Sequence, residues 1–187
     1  MAGRKRPGTR GNLALQRTLE DEAATARLGA ALAQALLALA EPIAAAGFTL
    51  ALQGDLGAGK TALVRALLRK AGARGSVKSP TFALLEPYEL SRLHFYHFDF
   101  YRFKTPEEFA DRGFGEYFQA GAVCLVEWPE KAGDLLPRAD LRITLSVLPP
   151  PPGGEPGRTA VLAATTELGK QCLHLLQSLW STAGAGA

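Results

Sequence analysis

Eight consecutive residues, Gly54-Asp55-Leu56-Gly57-Ala58-Gly59-Lys60-Thr61, satisfy the pattern G-x-x-x-x-G-K-[ST] at every specified position. The spacing has a chemical purpose. A chain that wraps around a phosphate with its N–H groups pointing inward needs glycine wherever a side chain would block the approach. The loop then opens a helix whose N-terminus attracts anions. In such a loop Lys60 reaches the β- and γ-phosphates, and the Thr61 hydroxyl is placed to ligate Mg²⁺. The expected ligands are therefore ATP and Mg²⁺, with residues 54–61 and the following Ala62 in contact with the nucleotide.

A triphosphate held in this way also needs a carboxylate at the end of a neighbouring strand, to hold Mg²⁺ directly or through water and to help orient the attacking water. Two residues qualify. Glu127 closes the apolar run Ala122-Val123-Cys124-Leu125-Val126, so a buried strand would deliver its charge at the carboxyl end, where α/β proteins bind ligands. Asp99 lies in His97-Phe98-Asp99-Phe100-Tyr101-Arg102, where strand alternation puts His97 and Asp99 on one face and the two phenylalanines on the other. A third polar group comes from Ser79-Pro80-Thr81. Proline there fixes the backbone and exposes the Thr81 hydroxyl, as a switch sensing the γ-phosphate requires. The pair His94 and His97 has no third ligand, so it reads as hydrogen-bonded histidine, and no zinc site is expected.

These residues need particular elements to position them. The run 48–53 is a short apolar strand leading into the loop, and 60–70 has helical spacing through Leu63, Leu67 and Leu68. Residues 19–39 are rich in Ala and Leu with Glu20, Asp21 and Glu22 at the start, a pattern for one helix with acids at its N-terminal dipole. Residues 82–90 and 93–100 read as two aromatic-rich strands of a hairpin, and Pro106-Glu107-Glu108 opens a short helix. The run 122–126 suits a parallel strand buried on both faces. A strand at 141–148, a proline-rich hairpin loop at 149–157, a strand at 158–164 and a helix at 167–179 complete the chain. The last thirty residues cannot build a core of their own, so they belong to the same unit. The expected architecture is α/β: a single P-loop NTPase-like domain over 19–180, with a mixed, partly parallel sheet flanked by helices. Residues 1–18 read as a basic, disordered tail and 181–187 as a flexible C-terminus.

The chain has 187 residues and a formal net charge of +3, with a pI near 9.0. Arg4, Lys5, Arg6 and Arg10 sit in the first ten residues; without them 17 of the 21 basic residues remain against 18 acidic ones. The basicity belongs to the tail, which argues against strong direct nucleic-acid binding by the body, although a local basic patch stays open. The Arg-rich start is compatible with an organellar transit segment, but a plain extension is the simpler reading. Cys124 and Cys172 have no metal-like spacing and read as core thiols of a reducing compartment. No apolar stretch approaches the length of a membrane helix, and a cytoplasmic location is expected.

Taken together, the loop 54–61, Val77-Lys78-Ser79-Pro80-Thr81-Phe82, Tyr96-His97-Phe98-Asp99-Phe100-Tyr101-Arg102, Cys124-Leu125-Val126-Glu127-Trp128-Pro129-Glu130 and Leu136-Pro137 resemble, in order and approximate spacing, the TsaE family. These are the bacterial P-loop ATPases of the tRNA threonylcarbamoyladenosine pathway. The resemblance runs from about residue 19 to 179. It implies an ATPase that works with TsaB and TsaD proteins, which install threonylcarbamoyl on adenosine 37, and that meets tRNA indirectly through them; whether it also touches tRNA itself is left open. By motif matching, Thr61 and Glu127 resemble Mg²⁺ ligands, Asp99 a residue at the nucleotide phosphates, Thr81 a switch-like threonine and Trp128 a functional neighbour. Glu22 and Arg158 occupy places where family members contact the nucleotide. Ala62 departs from the family, which usually has a second Thr there.

Two rival readings remain. A small-molecule kinase would use the same loop but usually an Arg-rich lid, and residues 100–120 hold only Arg102 and Arg112. A nucleotide-dependent switch would bind ATP or ADP and hydrolyse little alone. The guanine-reading N-K-x-D pattern is absent, which favours adenine. Whether Asp99 or Thr81 positions the attacking water is left open.

Overall fold

The computed structural model describes residues 13–90, 92–154 and 156–183. At its centre is β2 (Phe48–Gln53), whose first five residues are all buried. That burial follows from its neighbours: β2 pairs in parallel with β5 (Ala122–Glu127) on one side and with β6 (Leu141–Val147) on the other. Strands enclosed in this way read as continuous apolar runs rather than alternating ones. Outward from β5 come β4 (His94–Asp99), parallel to it, and β3 (Leu85–Glu89), antiparallel to β4. Outward from β6 come β7 (Arg158–Ala164) and β1 (Ala14–Leu19), each antiparallel to its inner neighbour. The order across the described sheet is β1-β7-β6-β2-β5-β4-β3, a mixed, partly parallel sheet as expected.

One face of the sheet carries the main core. Leu28, Leu32 and Leu36 of α1 (Glu22–Ala38), Leu63 and Leu67 of α3 (Lys60–Ala71) and Leu173 and Leu176 of α5 (Glu167–Ala183) pack against Leu50, Leu52, Leu125, Ile143 and Leu162. On the opposite face, Phe98, Phe100, Phe103, Phe109 and Phe114 form a second, aromatic cluster with Cys124 and Val126. Phe98 and Phe114 meet edge-on with ring centroids 5.5 Å apart, a favoured aromatic geometry. This cluster fixes the segment after β4, including α4 (Glu108–Asp111), against β4 and β5. The carboxyl ends of those two strands are thereby held from behind.

Three expectations need correction. Residues 14–18 are not tail: with Leu19 they form β1, whose Leu15 and Arg17 are half-buried beside β7 while Gln16 and Thr18 are exposed. An edge strand needs only one apolar face, so its composition stays polar. The expected basic tail at residues 1–12 lies outside the described residues. The single helix over 19–39 is two: Asp21 caps α1 by accepting the Ala24 N–H at 2.6 Å, and at Leu39 the chain bends by 74° into α2 (Ala40–Ala46). Finally, α5 continues through Ala183, so residues 181–183 are helical; residues 184–187 lie outside the description. The proline-rich stretch does join β6 to β7 as a hairpin connection.

Candidate functional site

The glycine loop leaves the carboxyl end of β2 and enters α3. Gly54 has φ +137°, and a Cβ there would lie 2.2 Å from the Leu145 carbonyl oxygen of β6. No other residue fits that combination of backbone angle and close approach. The helix begins at Lys60 with no side-chain cap from Gly59, so the first N–H groups of α3 keep their donor capacity for an anion. Lys60 itself is buried. Its Nζ donates to the carbonyl oxygens of Gly54 at 2.6 Å and Asp55 at 2.9 Å and lies 3.9 Å from the Trp128 ring centroid. Burial lowers the Lys60 pKa, while Glu127, Glu130, Asp99 and Asp55 pull it back towards the charged form.

Beside the loop, Thr61 and Glu127 meet. The Thr61 hydroxyl lies 2.9 and 3.0 Å from the two carboxylate oxygens of Glu127. Glu127 is the last residue of β5, and Asp99 the last of β4; the two are directly paired across the parallel ladder. Their side chains share the sheet face on which α3 packs. A hydroxyl and a buried carboxylate converging here form the oxygen donor pair that a hard divalent cation takes.

Asp99 anchors a second set of groups. One carboxylate oxygen accepts the hydroxyls of Ser79 and of Thr81, the latter at 2.7 Å, and the other accepts the Tyr101 backbone N–H at 3.0 Å. The Ser79 and Thr81 hydroxyls are themselves 2.6 Å apart. The chain after α3 is thus tied to the end of β4 by a fully bonded carboxylate. No ion pair joins Asp99 to Arg102, whose guanidinium lies over the Phe82 ring at 4.2 Å.

These groups line one cleft of about 380 Å³, which also takes in Glu22 and Thr25 at the start of α1 and Arg158 at the start of β7. The residues expected from sequence at the cleft are brought together there: Leu56, Gly57, Gly59, Lys60, Thr61, Ala62, Thr81, Asp99, Glu127, Trp128, Glu22 and Arg158 line it. Gly54, Asp55 and Ala58 shape the loop without lining the cleft. Arg158 donates from Nη1 to the Pro156 carbonyl at 3.1 Å, while its buried Nε has no hydrogen-bond partner among the described residues. An orphaned guanidinium N–H at 3.3 Å from where a Gly59 Cβ would stand is a donor prepared for an anion. Trp128 adopts a left-handed conformation, φ 58°, and its backbone N–H continues the ladder to Leu52 O at 3.2 Å.

Four participants were not picked out by sequence reasoning. Thr25 lines the cleft from the first turn of α1, with no motif to mark it. Ser79 was visible only as part of its loop. Tyr101 follows the β4 motif and lines the cleft. His97 was read as a hydrogen-bonded histidine, which it is, but its partner is Glu127: Nε2 lies 2.8 Å from Oε1. The alternation that pairs His97 with Asp99 was the available signal; the register against β5 was not.

A partly parallel sheet flanked by helices, with a strand, a glycine loop and a helix in succession at its strand ends, defines a P-loop NTPase-type α/β protein. The sequence model described as threonylcarbamoyl adenosine biosynthesis protein TsaE matches residues 19–149, and the chain belongs to that family, whose role is in tRNA threonylcarbamoyladenosine (t6A) biosynthesis. It is 38% identical over 159 residues to a tRNA threonylcarbamoyladenosine biosynthesis protein TsaE of Haemophilus influenzae, covering 85% of this chain and 95% of that one. The protein of the same description from Bacillus subtilis is 39% identical over 115 residues, covering 62% and 69%. The crystal structure of Bacillus subtilis YdiB superposes with a TM-score of 0.68 at 25% identity, covering 91% of this chain and 98% of that one. No helix among the described residues is long and apolar enough to cross a membrane.

Proposed function

We propose that the protein binds and hydrolyses ATP with Mg²⁺, and that this turnover supports N6-threonylcarbamoylation of adenosine 37 in tRNA by TsaB- and TsaD-type partners in the cytoplasm. The observation that carries the reading is the meeting of Thr61 with Glu127 at the mouth of the glycine loop. Both are hard oxygen donors and suit Mg²⁺. The space that a Gly59 Cβ would enter, beside an Arg158 Nε with no hydrogen-bond partner among the described residues, suits phosphate.

In this reading the N–H groups of the loop and of the first turn of α3 bind the phosphates. Lys60 exchanges its two carbonyl partners for phosphate oxygens. Thr61 and Glu127 would hold Mg²⁺, whose charge would offset that developing on the transferred phosphoryl group. Asp99, through the hydroxyls of Thr81 and Ser79, orients the attacking water or responds to loss of the γ-phosphate. Trp128 and Tyr101 wall one side and limit the entry of further water.

The test is ATP hydrolysis by the purified protein, alone and with TsaB and TsaD, beside Lys60→Ala and Glu127→Ala. Turnover that rises with the partners and is lost in both variants supports the reading; turnover retained by Lys60→Ala overturns it. One observation favours a second reading, a nucleotide-dependent switch slow in hydrolysis by itself. Lys60 is engaged with its own loop and with Trp128, so work is needed to free it. Stoichiometric ATP binding without turnover, even with partners, would select that alternative. The kinase reading has less support, since Arg112 pairs with Glu108 and Arg102 lies on Phe82.

A further inference from the structure

His97 is fully buried, and its imidazole has two nitrogens in different situations. Nε2 faces Glu127 Oε1 at 2.8 Å. Nδ1 is buried and has no hydrogen-bond partner among the described residues. Chemistry fixes where the proton sits. A proton on Nδ1 would be a buried donor with no acceptor, and the Nε2 lone pair would then face a carboxylate oxygen. A proton on Nε2 makes a charge-assisted hydrogen bond and leaves at Nδ1 only an unused acceptor, which costs less.

The register explains how the two residues meet. Asp99 pairs directly with Glu127 and His97 with Leu125, on the same face of the parallel ladder between β4 and β5. His97 therefore reaches Glu127 diagonally from one pleat below. Glu127 is itself 2% exposed, so its carboxylate has little water to orient it. Its bonding partners are the Thr61 hydroxyl from the front and the His97 imidazole from behind.

We propose that His97 is a positioning residue for the metal-holding carboxylate: its Nε2–H clamps Oε1 of Glu127, fixing the plane of the carboxylate so that Oε2 and the Thr61 hydroxyl form the cation-facing edge. This rests on the reading of Glu127 as a Mg²⁺ ligand. It assigns to a residue that touches neither nucleotide nor metal a role exerted wholly through Glu127. Partners of this kind orient metal ligands elsewhere, and their loss weakens metal affinity by about 10- to 100-fold.

The experiment compares wild type with His97→Phe, which keeps a ring but no donor, and His97→Gln, whose amide N–H stands near the place of Nε2. Mn²⁺ binding in the presence of ADP is measured by electron paramagnetic resonance, ADP binding is measured separately in EDTA, and the imidazole tautomer of wild type is read by ¹⁵N NMR. Mn²⁺ binding is expected to weaken at least about tenfold in His97→Phe and to recover in His97→Gln, with ADP binding in EDTA changed less than about twofold in either. The NMR spectrum should show protonated Nε2 and unprotonated Nδ1. Unchanged Mn²⁺ affinity in a folded His97→Phe, failure of His97→Gln to recover it, or a proton on Nδ1 overturns the proposal. If wild type with ADP binds no Mn²⁺, the reading of Glu127 as a ligand fails as well; the NMR spectrum separately decides whether His97 donates to Glu127. If His97→Phe does not fold, Mn²⁺ binding weakened about tenfold or more in a folded His97→Gln, or a proton on Nδ1, overturns the proposal, and near-wild-type Mn²⁺ binding in His97→Gln with protonated Nε2 supports it.

Discussion

Thr61 and Glu127 are 66 residues apart in the chain, yet the threonine hydroxyl bridges both oxygens of the glutamate at 2.9 and 3.0 Å. One residue opens α3 and the other ends β5, so the contact measures how accurately helix and sheet are docked. Glu127→Gln preserves shape and a hydrogen bond to Thr61 but removes the charge. It should fold as wild type and lose roughly 10²–10³-fold in kcat for ATP hydrolysis, checked by steady-state turnover beside circular dichroism.

Asp99 gives a contrasting case, because its carboxylate organises hydroxyls. Thr81→Val removes one hydroxyl while keeping bulk, and should lower kcat roughly 10²-fold with little change in ATP affinity. Thr81→Ser should stay near wild type. Single-turnover kinetics with separately measured ATP binding separates the two effects.

Arg158 has a buried guanidinium N–H with no hydrogen-bond partner among the described residues. If a phosphate is its partner, Arg158→Met forfeits a charge-assisted hydrogen bond of about 1.5–3 kcal/mol, roughly a ten- to hundredfold rise in the Kd for ADP. Calorimetric titration reads this directly. The melting temperature without nucleotide should change little, since loss of the Nη1 hydrogen bond to the Pro156 carbonyl is offset by removal of the unsatisfied buried Nε donor.

Two loop glycines should respond differently to alanine. At Gly54 the new methyl meets the Leu145 carbonyl at 2.2 Å, whereas at Gly57 it meets nothing within 4 Å and only the positive φ of 82° opposes it. Urea denaturation should therefore show Gly57→Ala losing about 1–2 kcal/mol and Gly54→Ala roughly 3 kcal/mol or more.

Residues whose partners are near in sequence, or whose motif has a fixed spacing, were legible before the fold was known. The loop 54–61, the buried run ending at Glu127 and the strand at 158–164 appear where expected. What was hidden depends on distant partners. Residues Ala14–Leu19 form a strand because β7, about 145 positions later, supplies the ladder; alone, Leu15 and Leu19 give too short an alternation to read. The break at Leu39 was concealed because Ala and Leu continue unchanged on both sides of it. Composition favours helix there but does not fix its direction. His97 was legible as hydrogen-bonded but not as the neighbour of Glu127, because register between parallel strands is set by the crossover segments and not by either strand.

The strand order also has a consequence for how the chain is made. By the time residue 61 has been synthesised, β1, α1, α2, β2 and the glycine loop all exist, yet neither strand has a partner: β2 waits for residues 122–127 and 141–147, and β1 for 158–164. Long-range pairing of this kind is slow to form and gains nothing until both sides are present. Strand β1 is therefore among the last elements to be locked in place, and on the proposed reading ATP would gain no hold through Glu127 on a nascent chain that ends before it. Chains arrested before about residue 147 should remain open to protease whether or not nucleotide is supplied, because the partners of β2 are not yet complete.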